Sequence, residues 1–181
     1  MSIDHEQARE LLRSKIRSIP DFPSPGILFR DITPALADAE AFTAAVELHL
    51  HHIADLDGQL DAIVGMEARG FLFGPILAHR LNLAFVPARK PGKLPAETIA
   101  EDYALEYAKN TLQIHADALR PGARVLIVDD LLATGGTAAA TTRLIERLGA
   151  TVAAQLFMIE LVALGGRAAQ GDHRVEAVLQ F

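Results

Sequence analysis

The chain has no cysteine in its 181 residues. That excludes disulfides and thiolate metal sites. No apolar run reaches the ~18 residues a membrane-spanning helix needs, so no membrane association is expected. The opening residues, Met1-Ser2-Ile3-Asp4-His5-Glu6, are polar and acidic, unlike a secretory signal, and a cytoplasmic location is the expectation. Positive charge is scarce as well: 17 Lys and Arg against 23 Asp and Glu leave a formal net charge of −6. Phosphate backbones are held by basic surface, so the charge argues against a general nucleic-acid binder. Internal repeats, low-complexity segments and a clear linker are also missing. What remains is a chain that is 50% hydrophobic, enough for one sizeable core and a single domain over residues 1–181.

The most informative stretch is Arg124 to Thr137. Val125 to Val128 is a short apolar run, the length of a buried strand, and the adjacent carboxylates Asp129 and Asp130 end it. A turn of small residues follows, Ala133-Thr134-Gly135-Gly136-Thr137, and then a helical pattern with Leu144, Ile145 and Leu148 on one face. Glycines let a backbone approach a ligand closely. A helix start offers unpaired N–H groups and the positive end of a dipole, which suits phosphate. The carboxylates repel phosphate but can accept hydrogen bonds from sugar hydroxyls, or hold a cation that faces the phosphate. A ligand with a diol at one end and a phosphate at the other, such as ribose 5-phosphate, fits this order. The plainer account is an acidic turn leading into a glycine-rich loop. No Gly-Lys-Ser/Thr follows, so this is not a P-loop.

Elsewhere the pattern alternates strand and helix. Asp4 to Ser18 reads as a helix capped by Asp4. Pro20 to Gly26 is a proline-stiffened loop, and Ile27 to Asp31 reads as connector more readily than pocket. Asp38 to Leu56 is a second helix, whose His49, His51 and His52 read as surface residues rather than metal ligands. Strands are expected at Asp61 to Gly65 and Leu83 to Pro87, with a helix from Phe71 to Leu81. The turn Met66-Glu67-Ala68-Arg69-Gly70 carries an arginine whose planar fork suits pyrophosphate. Arg89, Lys90 and Lys93 gather positive charge at a strand end of an acidic protein. Leu94 to Ala108 is the least regular long stretch and reads as a lid or functional loop. Strand-like alternation returns at Thr111 to His115, at Thr151 to Leu161 and in the tail, where an edge strand is expected. The whole describes an α/β fold with a mostly parallel twisted sheet flanked by helices, its ligands lying beyond the carboxyl ends of the strands.

With these residues in view, the sequence resembles the type I phosphoribosyltransferases, which use 5-phosphoribosyl-1-pyrophosphate (PRPP), and among them the adenine-specific branch. The resemblance runs from about Ile19 to the final strand. It is carried by Asp21-Phe22-Pro23-x-Pro25-Gly26-x-x-Phe29-Arg30-Asp31-Ile32, Glu67-Ala68-Arg69-Gly70-Phe71-x-Phe73-Gly74 and Arg89-Lys90-x-Gly92-Lys93-Leu94-Pro95. Leu105-Glu106-Tyr107 and Val128 to Thr137 complete it. The last motif is shared by many PRPP enzymes, and the others are more particular to the adenine branch.

The resemblance implies transfer of phosphoribose from PRPP to adenine, giving AMP and pyrophosphate, with Mg²⁺ bound mainly through PRPP and no direct protein ligand. It assigns Ala133, Thr134, Gly135, Gly136 and Thr137 to the 5-phosphate, and Asp129 and Asp130 to the ribose hydroxyls. Glu67, Ala68, Arg69, Arg89 and Lys93 fall to pyrophosphate, with a cis Glu67–Ala68 peptide. Leu28, Phe29, Arg30 and Leu161 fall to adenine. Glu106 and Arg69 are the catalytic candidates, Glu106 handling the proton of the base. The parts are an N-terminal helix and base-binding segment in 1–34, a flexible hood at about 94–110 and the PRPP loop at 125–137. A homodimer is implied. One departure is Ala108, where the family usually has glycine.

Two alternatives compete. A 6-oxopurine enzyme resembles its relatives in using a lysine after the PRPP-loop helix, and this chain has no lysine after Lys109. A PRPP-sensing nucleic-acid regulator needs a basic face, which the acidic composition does not provide.

Overall fold

The computed structural model describes residues 4–105 and 108–181. The chain divides into two compact units, one ending at His51 and one running His52–Phe181. Each is taken by itself.

The first unit opens with α1 (His5–Ser14), where the Asp4 side chain accepts from the N–H groups of Glu6 and Gln7 and so caps the first turn. The helix ends earlier than its sequence pattern, because Arg17–Pro20 forms β1. This strand pairs antiparallel with β2 (Leu28–Asp31), from Arg17 opposite Asp31 to Pro20 opposite Leu28. Residues expected to be connector are therefore strand. The ribbon closes on an ion pair, Arg17 to Asp31 at 2.6 Å. Hydrogen bonds from Thr33 and then Arg17 pull the Asp31 carboxyl down to about 2. A short α2 (Thr33–Leu36) leads to α3 (Ala39–His52), capped by Asp38 through the N–H groups of Glu40 and Ala41. His49 corrects the surface expectation. It is fully buried, on the face of α3 that carries Ala41 and Ala45, and its Nδ1 lies 2.6 Å from the Ala45 carbonyl. A backbone acceptor one helical turn back gives the ring a polar partner without solvent.

The second unit is built on a five-stranded sheet whose neighbours are all parallel. Its strands are β3 (Ala62–Met66), β4 (Ala84–Ala88), β7 (Arg124–Leu132), β8 (Thr151–Glu160) and β9 (Val175–Gln180), in the order β4-β3-β7-β8-β9. The tail strand expected at an edge is at the edge. Helices α4 (Gly70–Leu81) and α5 (Gly136–Arg147) connect β3 to β4 and β7 to β8. Alternate residues of a strand face opposite sides. Val64, Met66, Val125 and Ile127 join one core cluster with Leu144 and Ile145 of α5. On the other face the Phe85 ring sits against Gly65 and Gly74, where an added Cβ would fall within 2.7 and 2.6 Å of it. Those glycines let α4 pack tightly on β3. Strand order reverses between β3 and β7, and the crevice beyond the carboxyl ends at such a reversal is where open α/β sheets bind ligands.

The stretch from Leu94 to Ala108, read as irregular, holds β5 (Thr98–Leu105), which forms a second antiparallel ribbon with β6 (Ala108–His115), where a strand was expected at Thr111 to His115. Its inward face carries Ile99 and Tyr103, both packed on the core, with Glu101 between them. A charge in the middle of an apolar stripe hides the strand period. Here Arg143 and Arg147 of α5 neutralise it, at 2.5 and 3.1 Å.

Candidate active site

The turn after β3, the loop after β4 and the loop after β7 all leave the carboxyl ends of the sheet in the second unit. β7 runs four residues past the apolar stretch, so Asp129 and Asp130 lie on the strand itself, Asp129 opposite Phe157. The expectation that the carboxylates end the strand is corrected: ladder pairing continues through them. Asp130 is 2% exposed. Its Oδ2 meets the Arg69 guanidinium at 3.0 Å, which bridges the crevice between β3 and β7. Asp129 Oδ1 accepts the Asp130 N–H at 2.9 Å. Burial pushes both carboxyls up. Asp129 rises furthest because Asp130 stands beside it, whereas Arg69 restrains Asp130. Gly70 makes the arrangement possible, since a Cβ there would lie 2.5 Å from the Val128 carbonyl and 3.3 Å from Asp129 Oδ1.

Leu131 to Thr137 then wrap a cavity of about 110 Å³, closed on other sides by Met66, Asp129, Ala138 and Phe157. All five residues assigned to a phosphate lie on its wall. Gly135 takes a left-handed conformation, φ +84°, and begins α5. Among the described residues no side chain caps that helix start. First-turn N–H groups lack intrahelical partners, so the end is suited to an anion.

Two residues that sequence reasoning did not single out hold this loop from behind. Gln170, 4% exposed, donates from Nε2 to the Gly135 carbonyl at 3.1 Å and the Gly166 carbonyl at 2.9 Å. Gly166 lies so close that a Cβ would fall 2.2 Å from the Ala133 carbonyl. The adjacent glycines Gly165 and Gly166 were the only sequence signal.

The basic loop forms a second group. Arg89 Nε donates to Glu67 Oε2 at 3.1 Å, and the Lys90 N–H donates to the same oxygen at 3.1 Å. Arg89 Nη1 donates to the Lys93 carbonyl at 3.1 Å, and the guanidinium carbon sits 5.9 Å from the Phe71 ring centre. The Glu67–Ala68 peptide is cis, as the resemblance implied. Arg89 also exchanges two backbone hydrogen bonds with Gln113 of β6, at 2.8 and 2.7 Å, which ties the loop to the ribbon.

The remaining assignments lie elsewhere. Leu28, Phe29 and Arg30 are on β2 of the first unit. There Leu28 is 48% exposed, Phe29 meets Phe22 edge-on at 5.1 Å and Arg30 bonds Ser18. Leu161 follows β8 in the second unit, its N–H donating to the Leu132 carbonyl at 2.9 Å. Glu106 lies outside the described residues. Among the described residues no three acidic or imidazole side chains converge as a metal cage would require, and no helix is long and apolar enough to cross a membrane.

The arrangement of this rim suits a sugar phosphate with a second anionic group. The family model described as phosphoribosyl transferase domain matches residues 34–176. An adenine phosphoribosyltransferase of Carboxydothermus hydrogenoformans is 55% identical over 170 residues, 94% of this chain and 99% of that one. The crystal structure of the adenine phosphoribosyltransferase from Thermoanaerobacter pseudethanolicus matches with a TM-score of 0.91 at 49% identity, over 96% of this chain and 99% of its own. The Saccharomyces cerevisiae enzyme, complexed with an imino-altritol bisphosphate and adenine, matches with a TM-score of 0.91 at 39% identity, over 96% and 99%.

Proposed function

The chain belongs to the adenine phosphoribosyltransferases, and from that membership we infer that it transfers the 5-phosphoribosyl group of PRPP to adenine, giving AMP and pyrophosphate. It is a transferase of purine salvage. The observation that carries the reading is the Asp129–Asp130 pair, half-buried and buried, leading into a glycine-started helix that no side chain among the described residues caps, with Arg69 across the crevice.

In the proposed mechanism, residues 133–137 hold the 5-phosphate on the first turn of α5. Asp129 and Asp130 accept the ribose hydroxyls. As the bond from C1 to pyrophosphate breaks, positive charge grows on the ribose and negative charge on the leaving group. Arg69, Arg89, Lys93 and the Glu67–Ala68 peptide stabilise the latter. Mg²⁺ bound with PRPP would supply further neutralisation of the leaving group's charge. The rim fits an ion carried mainly by PRPP oxygens, because Asp130 is already engaged by Arg69. Leu28, Phe29, Arg30 and Leu161 are assigned to adenine, through stacking and through backbone groups of Leu28 and Arg30. Each strand of a two-stranded ribbon keeps an outer edge of backbone donors and acceptors, which supports that role for β2. Glu106 is assigned the proton of the base, and 94–110 the part of a hood that keeps water from the activated sugar. The domain reading stays that of one phosphoribosyltransferase domain over 1–181, dimeric and cytoplasmic.

The test is a panel of adenine, hypoxanthine, guanine, xanthine and orotate, each offered with PRPP and Mg²⁺. AMP formation with adenine alone is expected. Turnover of hypoxanthine but not adenine sinks the reading.

A further inference from the structure

One carboxylate on the rim has no obvious business beside a polyanion. Glu67 follows β3 directly, within the turn assigned to pyrophosphate, and its charge should repel that ligand. Its side chain is only 15% exposed and faces away from open solvent, toward the loop after β4. A single oxygen, Oε2, receives both the Arg89 Nε–H and the Lys90 N–H. Burial alone raises the Glu67 carboxyl, but the Lys90 N–H and then Arg89 outweigh it, so the group stays ionised. The Glu67 N–H also donates to the Ala88 carbonyl at 2.9 Å, which fixes the start of the same loop.

The consequence lies in Arg89. A guanidinium has five N–H bonds in a planar fork. Glu67 takes the Nε–H, and the Lys93 carbonyl takes one on Nη1. Among the described residues the other three have no acceptor and remain for an anion, on a fork whose plane is already set by Glu67 at one edge and Phe71 nearby. An unrestrained arginine loses rotamer freedom when it closes on a ligand; this one has lost it beforehand. We propose that the Glu67 side chain is a positioning residue for the pyrophosphate end of the substrate, acting through Arg89 and the Lys90 N–H rather than touching the ligand. The proposal rests on the assignment of Arg89 to pyrophosphate made above.

The test uses Glu67→Leu, Glu67→Gln and Arg89→Lys, with KM for pyrophosphate and for AMP measured in the reverse reaction alongside Tm. Glu67→Leu removes both bonds and should raise KM for pyrophosphate about tenfold, with KM for AMP within about twofold of wild type. Glu67→Gln can keep both bonds on its amide oxygen and loses only the charge, so a rise of about threefold is expected. Adding Glu67→Leu to Arg89→Lys should cost little more than Arg89→Lys alone, because the group being positioned is already gone. A wild-type KM for pyrophosphate in Glu67→Leu overturns the proposal, as does an equal rise for both ligands. Should Glu67→Leu fail to fold, Glu67→Gln decides by the same two readings. An Arg89→Lys variant that binds pyrophosphate normally brings down the assignment of the loop itself. A raised KM there beside an unaffected Glu67→Leu brings down only the positioning role.

Discussion

The two ends of the same parallel sheet each carry an aspartate paired with arginine, and the pairs behave in opposite ways. At the amino end, Asp61 precedes β3. It meets Arg120 at 2.5 Å and accepts the Arg124 N–H at 2.8 Å. Its carboxyl is pulled below the ordinary range, first by the Arg124 N–H. At the carboxyl end, Asp130 meets Arg69 at 3.0 Å, yet burial pushes it up. Solvation separates the two. The Asp61 side chain is 35% exposed and that of Asp130 3%. At the carboxyl end, moreover, two adjacent carboxylates stand beside one guanidinium. The amino end is electrostatically complete as it stands. In the proposed function the other is completed by donors that arrive with a ligand, the incompleteness that marks a candidate site.

The largest effect should come from breaking the incomplete end. Asp130→Asn keeps the shape and removes the charge that answers Arg69, so kcat/KM for PRPP should fall about a hundredfold, with KM up and kcat down. Steady-state kinetics decide this, and wild-type values would reduce the carboxylate pair to a structural feature. Next comes the phosphate loop. Gly166→Ala forces a Cβ against the Ala133 carbonyl, a backbone atom that cannot swing aside. KM for PRPP should rise about tenfold while KM for adenine moves less.

Asp129→Asn sharpens the contrast through stability. A carboxyl whose folded pKa is raised favours folding only while protonated, and that contribution is lost as pH rises through the raised value. At neutral pH the amide should therefore be the more stable, by about 2–4 °C in Tm, even as PRPP binding weakens. The gain should vanish as pH falls through the wild-type carboxyl's raised pKa. A variant less stable than wild type at pH 8 contradicts this account. Asp61→Asn is the smallest and opposite case. Its carboxyl has a lowered folded pKa, so its contribution is present above the unfolded value and lost as pH falls through the folded one. Tm should drop slightly at neutral pH and converge with wild type in acid, with kcat/KM unchanged.

How much of this could be read from residues alone depends on where the compensating partner sits. The unit from β7 to α5 was legible because an apolar run, two carboxylates and a glycine turn follow one another in the chain. Where β7 ends was not legible, because Asp129 and Asp130 look like a stop until β8 and Arg69, remote in sequence, are placed beside them. Strand β5 was hidden for the same reason, although its partner β6 showed in the alternation from Thr111 to His115: Glu101 interrupts the apolar face of β5, and its answers come from Arg143 and Arg147, over forty residues on. His49 has its carbonyl partner one turn away, but no sequence pattern says which face of α3 is buried. Gln170 carried no signal and Gly166 only that of a glycine pair, since their importance is proximity to Gly135 and Ala133. The residues assigned to adenine were reached only by resemblance.

The pairing of β3 with β7 also has a consequence in time. Ala62 lies opposite Val125, so the central pair of the sheet joins segments more than sixty positions apart. Such distant pairings are closed late and slowly, because the entropy of the intervening chain is lost before the contact rewards it. Arg69 and Asp130 belong to those two segments. A refolding chain can form α5 and its phosphate loop early, from neighbours in sequence. The crevice assigned to the ribose exists only once this slowest closure is done, so recovered activity should lag recovered helix.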